Sequence, residues 1–145
     1  SANAGEAPGR ISKIASGGEL ARIMLVMKDV LSERDGTPAM VFDEIDEGVS
    51  GVAAQRVAEK LARLSKKKQV ICVTHLPQIA AMADTHFRIE KTERDGRTYT
   101  KVTPLEREGR IRELARLHGG ANITDTTLAS AAEQLDAASE YKGGI

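Results

Sequence analysis

Aromatic side chains are nearly missing from this sequence, which has two Phe, two Tyr and no Trp among 145 residues. A hydrophobic core must therefore be assembled from Leu, Ile, Val, Ala and Met. Hydrophobic residues still make up 41% of the chain and charged residues 29%, proportions typical of a folded soluble protein. The length suits one domain with a core of its own.

Cysteine is also scarce, and the single Cys72 excludes an internal disulfide and a cysteine-rich metal site. Its neighbours Val70, Ile71 and Val73 favour a buried thiol over a catalytic one. No apolar run reaches the length of a membrane span, and no signal peptide is recognisable. We therefore expect a cytoplasmic protein without a membrane partner.

Neither positive nor negative charge is in excess, since 21 basic and 21 acidic residues give a formal net charge of zero. This balance argues against nucleic-acid binding over the whole surface but allows a local basic patch. Lys66-Lys67-Lys68 is the candidate for such a patch, although a run of this kind is more often a solvated helix end.

The sequence also lacks the phosphate-binding loop found in many NTPases. The sequence contains no G-x-x-x-x-G-K-[ST] stretch, and Gly17-Gly18 cannot supply one because no Lys follows it. The backbone N–H groups and the Lys of such a loop cradle the phosphates. We therefore expect this chain alone not to hydrolyse a nucleoside triphosphate.

The first half of the chain predicts alternating helices and strands. Residues 1–10, rich in Gly, Ala and Pro, are predicted to be a loose leader before a domain over residues 11–145. Ser16 and Glu19 have the spacing of a capping box, which predicts a helix start. Buried strands are predicted over 39–42 and 69–74, and helices over about 52–64 and over 77–82. The first helix should bury one apolar face, made of Leu20, Ile23, Met24, Met27, Val30 and Leu31.

The second half predicts a β-hairpin and two further helices. A strand through Phe87 and Ile89 should be connected by an Asp95-Gly96 turn to a strand over 98–102. Helices follow over 111–117, ended by two glycines, and over 124–138. This order predicts an α/β fold, with a mainly parallel sheet flanked by helices and the hairpin extending its edge.

The candidate binding segment nearest the start is Ser16-Gly17-Gly18-Glu19. The glycines would let a ligand approach the backbone, and the N–H groups of a helix N-terminus favour an anion. The Ser16 hydroxyl could donate to a phosphate oxygen. An ordinary capped helix explains the same residues, and taken alone it is the better interpretation.

Asp43 and Glu44 follow an apolar strand, at the end where open α/β sheets bind ligands. One carboxylate could hold Mg²⁺ and the other could orient or deprotonate a water molecule, although a solvated acidic turn is common there. The following loop carries Asp46, Gly48 and Ser50, and its small residues suit packing against a partner surface. Capping of the next helix is the better interpretation for Ser50.

His75 follows the second predicted strand, where it could reach a phosphate beside those acids. An isolated histidine is more often structural or merely exposed. His86 and His118 have no comparable context, and the three histidines are too scattered to indicate zinc.

Taken together and in this order, the motifs resemble those of ABC-type ATPase heads, in the form seen in SMC-like proteins. Ser16-Gly17-Gly18-Glu19 resembles the signature motif, Val41-Phe42-Asp43-Glu44 the Walker B strand with its catalytic glutamate, and Thr74-His75 the switch histidine. Longer strings over 13–20, 42–46 and 73–78 are similar to the RecN family of DNA repair proteins. The likeness covers roughly residues 11–120.

Several positions depart from the general ABC pattern. Ala15 stands where most ABC proteins have Leu, and Glu19 stands where transporters usually have Gln. Ser50 takes the place of the usual loop Asp, whereas Asp46 matches the SMC-type pattern. These departures fit a RecN-type protein better than a transporter.

The resemblance implies the carboxy-terminal lobe of an ATPase head, with ATP and Mg²⁺ as cofactors. Asp43 would support Mg²⁺, Glu44 would activate water and His75 would sense the γ-phosphate. In a head dimer, the segment from Ser16 through Gly17 and Gly18 to Glu19 would contact the partner's nucleotide. Asp46, Gly48 and Ser50 would lie at the interface.

The implied partners are an amino-terminal half that carries Walker A, a second head, and DNA bound by the complete protein. Residues 1–10 would then be the end of a coiled-coil connection, and the location would be the bacterial cytoplasm and nucleoid. Two alternatives are a transporter nucleotide-binding domain, disfavoured by Glu19 and Asp46, and a non-hydrolysing ATP-gated scaffold, disfavoured by Glu44.

Overall fold

A computed structural model of the chain describes residues 5, 7, 9–11, 15–31 and 36–145. The expected leader over residues 1–10 lies largely outside these ranges, as do Lys13 and Ile14 of the first motif string, so both stay predictions. The chain divides into two compact units, Ser1–His75 and Leu76–Ile145.

The first unit contains helix α1 (Gly17–Leu31), strand β1 (Ala39–Phe42), helix α2 (Gly51–Ser65) and strand β2 (Gln69–Cys72). β1 and β2 pair in parallel, with Ala39 opposite Gln69 and Phe42 opposite Cys72. Val73 N donates to Phe42 O at 2.9 Å and extends the ladder by one bond. The unit is therefore a β-α-β arrangement in which both strands end at the same edge.

The two strands are buried on one face only. Met40 and Phe42 are buried, while Val41 between them is 69% exposed. On β2, Ile71 and Val73 are half-exposed. The buried face belongs to a core that includes Ile45 and the α2 residues Ala54, Ala58, Leu61, Ala62 and Leu64. Both predicted strands are present, although the second ends at Cys72 rather than at residue 74, and the prediction that they are fully buried is wrong for this chain.

Helix α1 buries a different face from the one its sequence predicts. Gly18 and Leu25 are its buried residues, and on the same side Lys60 of α2 donates to Asp29 at 2.6 Å. The predicted apolar face is exposed at Leu20, Ile23, Met24, Met27, Val30 and Leu31. Periodicity finds an apolar stripe but cannot tell which element covers it, and here α1 packs against α2 through its more polar side.

The second unit contains α3 (Pro77–Met82), β3 (His86–Arg94), β4 (Arg97–Leu105), α4 (Arg107–Gly119) and α5 (Asp125–Gly143). The predicted hairpin is confirmed: Arg94 pairs with Arg97, and Asp95 and Gly96 connect them with φ of 51° and 70°. Both values suit a two-residue type I′ turn. Within the described residues β3 and β4 pair only with each other, and the expected extension of the parallel sheet stays a prediction.

The core of the second unit lies among its three helices. Leu114 and Ala115 of α4 and Ala131, Leu135 and Ala138 of α5 are all buried. Thr124 caps α5 in a capping box with Thr127, and the helix runs beyond the predicted end at Ala138 to Gly143. Arg110 donates to the carbonyls of Ala81 and Ala83 and holds the end of α3.

The fold is thus α/β, with helices around a parallel pair of strands in the first unit and a hairpin with helices in the second. The parallel sheet has two strands in the described residues. None of the described helices has the length and apolarity needed to cross a membrane.

The burial of α1 predicts that two of its apolar residues differ sharply in their contribution to stability. Leu25→Ala should lower the free energy of unfolding by about 2–5 kcal/mol, because it leaves a cavity at a fully buried site. Val30→Ala on the same helix, at a side chain 75% exposed, should change it by less than about 0.5 kcal/mol. Urea denaturation followed by circular dichroism measures both, and equal losses would contradict this packing.

Candidate functional site

The candidate site begins where β1 and β2 end. Asp43 and Glu44 follow β1, and Thr74 and His75 follow β2 after one further paired residue. Because Phe42 lies opposite Cys72 in a parallel register, both segments leave the sheet at the same edge. This is the edge at which open α/β sheets bind ligands.

The two adjacent acids are both exposed at this edge. Glu44 N donates to Asp43 Oδ1 at 3.0 Å. Glu44 adopts φ of 59°, a left-handed conformation that costs a non-glycine residue roughly 1 kcal/mol or more. Glu47 N donates to Glu44 O at 3.1 Å and closes the turn. Backbone strain is thus retained at the residue predicted to activate water.

The two adjacent acids are the carboxylates at this edge that could contribute to a Mg²⁺ site. Within the described residues no group of three or more His, Cys, Asp or Glu side chains converges on one point. Mg²⁺ is commonly held by one or two carboxylates together with substrate phosphates and water. The exposed Asp43 carboxylate is chemically suited to be one such carboxylate.

Ser16 and Glu19 form the predicted capping box at the start of α1. Ser16 N donates to Glu19 Oε2 at 2.8 Å, and Glu19 N donates to Ser16 Oγ at 3.3 Å. The ordinary capping interpretation is therefore confirmed. It does not exclude phosphate contact, because the cap uses the Ser16 oxygen as an acceptor and its hydroxyl proton can still be donated.

The two glycines of this segment lie against the loop that follows β1 in the same chain. A Cβ on Gly18 would lie 2.9 Å from Glu44 O and 2.9 Å from Glu47 O, and one on Gly17 would lie 3.0 Å from Glu44 Oε2. Sequence reasoning interpreted both glycines as room for a ligand. The structure shows that Gly18 is first needed for packing within the chain.

Arg22 ties α1 to the same loop. Its Nη1 donates to Ile45 O at 3.2 Å and to Glu47 O at 2.7 Å. Sequence reasoning missed this residue, although its place one turn after Gly18 on the helix was a usable signal. The helix start and the acidic loop are therefore held together by close backbone packing and by a guanidinium bridge.

Asp46 is buried, and its carboxylate contacts residues of its own chain. One oxygen, Oδ2, accepts from Thr74 Oγ1 at 2.6 Å and from His75 N at 2.9 Å, and lies 3.0 Å from His75 Nδ1. Burial acts to raise the pKa of Asp46, but these hydrogen bonds and the charge of a protonated His75 outweigh it. The pKa therefore lies below its ordinary value.

The contacts of Asp46 set the orientation of His75. The His75 side chain is 74% exposed although its Nδ1 is held. Because Nδ1 faces Asp46, the opposite ring nitrogen, Nε2, is available for a ligand at the sheet edge. Of the residues predicted to form the site, Asp43, Glu44, Asp46 and His75 all lie at this edge.

The rest of the loop is shaped by backbone conformation. Gly48 adopts φ of 70°, which favours glycine. Ser50 occupies the N-cap position of α2, where its carbonyl accepts from Ala53 N and Ala54 N, but its side chain makes no capping hydrogen bond. The prediction of Ser50 as a cap is thus right about its N-cap position, but the expected capping hydrogen bond to its hydroxyl is not formed. Contact of Asp46, Gly48 and Ser50 with a partner stays a prediction.

The remaining candidate groups have other surroundings. Burial, with added repulsion from the Asp46 and Asp43 carboxylates, raises the pKa of the Cys72 thiol to about 12, so Cys72 is not a nucleophile at neutral pH. His86 lies in the second unit, where burial and then Arg110 lower its pKa. His118 pairs with Gln134 there, at 2.7 Å.

The packing of Gly18 predicts that a single methyl group disturbs the acidic loop. Gly18→Ala should destabilise the chain by about 1–3 kcal/mol, because two backbone oxygens would have to move. It should also shift the amide NMR signals of Glu44 and Glu47. Gly143→Ala, where the new Cβ meets nothing within 4 Å, should be neutral or stabilising by up to about 1 kcal/mol. Unchanged loop signals in Gly18→Ala would contradict the contact.

Comparison with curated proteins shows strong likeness to one kind of protein. The chain is 47% identical to DNA repair protein RecN of Bacillus subtilis strain 168 over 142 residues, which are 98% of this chain and 25% of that protein. It is 46% identical to RecN of Treponema pallidum strain Nichols over 144 residues, 99% of this chain and 25% of that protein. RecN of Haemophilus influenzae is 46% identical over 92% of this chain.

Comparison with solved structures agrees. A structure from work on ATP-driven dimerization and DNA-stimulated activation of SMC ATPases matches with a TM-score of 0.54 and 29% identity. The match covers 82% of this chain and 71% of that one. No family model matches the chain. On these likenesses the chain belongs to the RecN family, as a carboxy-terminal segment spanning about a quarter of the length of the relatives it matches.

Proposed function

We propose that this chain supplies the Walker B, signature and switch segments of an ATP-hydrolysing head in a RecN-type DNA repair protein. The observation that carries the proposal is the shared sheet edge: Asp43 and Glu44 follow one strand, and His75 follows its parallel neighbour. The start of α1 packs against the loop between them. Three motifs that are separate in sequence thus belong to one unit.

Each residue at this edge has a role that its chemistry can perform. Asp43 would hold Mg²⁺, and the ion would supply positive charge to offset the charge of the triphosphate. Glu44, exposed and fixed by its turn, accepts the proton of the attacking water. His75 presents Nε2 to the γ-phosphate while Asp46 holds Nδ1.

The missing phosphate loop comes from an amino-terminal half of the same protein. The exposed apolar residues at Val41, Ile71 and Val73, together with the exposed stripe of α1, support such a partner. Isolated exposed apolar residues are ordinary, but continuous sets of them mark a surface that another element covers. Further parallel strands from that half would complete the mainly parallel sheet.

The second partner is another head. The Ser16–Glu19 segment lies in a chain that already has its own acids and switch histidine, so a phosphate at the start of α1 belongs to the nucleotide of a facing head. Gly48 and Ser50 lie at the interface between the heads. The complete protein binds DNA during double-strand-break repair, in the cytoplasm and nucleoid of a bacterium, without a membrane partner.

A non-hydrolysing scaffold is the alternative that experiment must separate. A transporter domain is not favoured, because the relatives at 46–47% identity are DNA repair proteins. The strained, exposed Glu44 favours hydrolysis over ATP acting only as a clamp.

Glu44→Gln in the complete head tests the proposed base. The amide keeps the shape of the side chain but accepts a proton poorly, so hydrolysis should fall by at least about 100-fold. ATP binding should survive, and heads should accumulate as an ATP-bound dimer in light scattering. Glu93→Gln, an exposed glutamate on β3, should leave turnover unchanged, and this chain without the Walker A half should show none.

The outcomes separate the candidate functions. Turnover of Glu44→Gln within a few-fold of wild type would exclude Glu44 as the base. A wild-type head that dimerises with ATP but never hydrolyses it would establish the scaffold instead.

Ser16→Arg tests the assignment of the signature segment to the opposite head. The bulky cation should block approach of a second nucleotide and abolish hydrolysis, but leave ATP binding by its own head intact. Mixing Ser16→Arg heads with Glu44→Gln heads should restore part of the activity. In a mixed dimer, one composite site carries both changes and the other carries neither.

The control for this experiment removes a helix cap elsewhere. Ser16→Arg also loses the cap of α1, which costs about 1 kcal/mol, and Thr124→Arg loses the equivalent cap of α5. Thr124→Arg should keep hydrolysis. A mixture that stays inactive although mixed dimers are shown to form would overturn the assignment to the opposite head.

A further inference from the structure

We propose that Asp46 is the positioning residue of the switch histidine: its carboxylate fixes the backbone, ring orientation and tautomer of His75. This inference rests on the proposed function, since it gives Asp46 a part in ATP hydrolysis. The likeness to SMC-type loops places Asp46 at the interface between heads, whereas its contacts here lie within its own chain.

The geometry is specific to His75. Two hydrogen bonds, from Thr74 Oγ1 and His75 N, end on a single oxygen of Asp46, and the ring Nδ1 of His75 lies 3.0 Å from the same oxygen. A carboxylate that only closed a turn would need the backbone contact alone. The ring contact is additional, and it is made by an otherwise exposed side chain.

Burial makes the contact strong. Asp46 is 4% exposed, so its hydrogen bonds compete little with water. The same contacts lower the pKa of Asp46, which keeps the carboxylate ionised at neutral pH. An ionised acceptor at Nδ1 favours the neutral tautomer with the proton on Nδ1, which leaves the ring lone pair on Nε2, away from Asp46.

The loop that carries Asp46 is itself held in place. Arg22 of α1 binds the carbonyls on either side of Asp46, those of Ile45 and Glu47. Asp46 therefore connects the segment packed against the helix start to the histidine at the end of β2. His75 is placed by the tertiary structure rather than by β2 alone.

The first experiment needs only this chain. Long-range ¹H–¹⁵N NMR of the imidazole should show the proton of the neutral His75 ring on Nδ1. In Asp46→Ala it should move to Nε2, while Asp29→Ala, which removes another partly buried carboxylate of the same unit, should leave it on Nδ1. If Asp46→Ala does not fold, Asp46→Asn keeps the shape and should weaken the same preference. An Nδ1 proton unchanged in the folded variant would overturn the inference.

The second experiment uses the complete head and asks whether Asp46 acts through His75. Asp46→Ala should lower kcat by about tenfold or more and leave KM for ATP within about threefold, since the change affects orientation rather than binding. In a His75→Ala background the same change should cost less than about twofold, because the residue it positions is gone. Equal losses in both backgrounds would mean that Asp46 acts independently of His75.

Failure of the proposed function gives a different pattern. If Glu44→Gln leaves hydrolysis intact in the same preparation, the assigned ATPase site is wrong. The tautomer measurement still decides whether Asp46 sets the His75 ring. If hydrolysis depends on Glu44 but the tautomer does not depend on Asp46, the positioning role alone is overturned.

Discussion

The parallel pairing of β1 with β2 is the constraint on which the rest of the site depends. Four residues of each strand pair in register, and the bond from Val73 to Phe42 continues the pairing to the point where both chains leave the sheet. Because α2 returns the chain to the same starting edge, the acids after β1 and the histidine after β2 meet at one end. A shift in this register would separate Asp46 from His75, and the acids and the histidine would no longer lie together.

A second constraint is the close approach of α1 to the acidic loop. Gly18 permits a backbone contact that a methyl group would prevent, and Arg22 bridges the carbonyls of Ile45 and Glu47. A segment expected to serve a facing molecule thus also supports its own chain. Packing within the chain and contact with a facing molecule are compatible. The packing involves Gly18, whereas the capping box uses only the oxygen of the Ser16 hydroxyl and leaves its proton able to donate.

Much of the apolar surface in the described part of the first unit is exposed. The stripe on α1 and the outer face of the strands are apolar yet exposed, so the interior is built from one face of the sheet and from α2. The proposed amino-terminal half would cover these faces, since continuous exposed apolar surface often marks a site of contact.

The sequence by itself determined the order and type of the elements, the hairpin turn at Asp95 and Gly96, and the identity of the acids and the histidine. These follow from local causes: periodicity, capping, and the conformations that glycine permits. Only the tertiary structure decided that α1 buries Leu25 instead of its apolar stripe, that Ser50 leaves its hydroxyl out of the cap, and that Asp46 holds His75. Each of these depends on contacts between residues distant in sequence. Local spacing does not determine which distant residue will form such a contact.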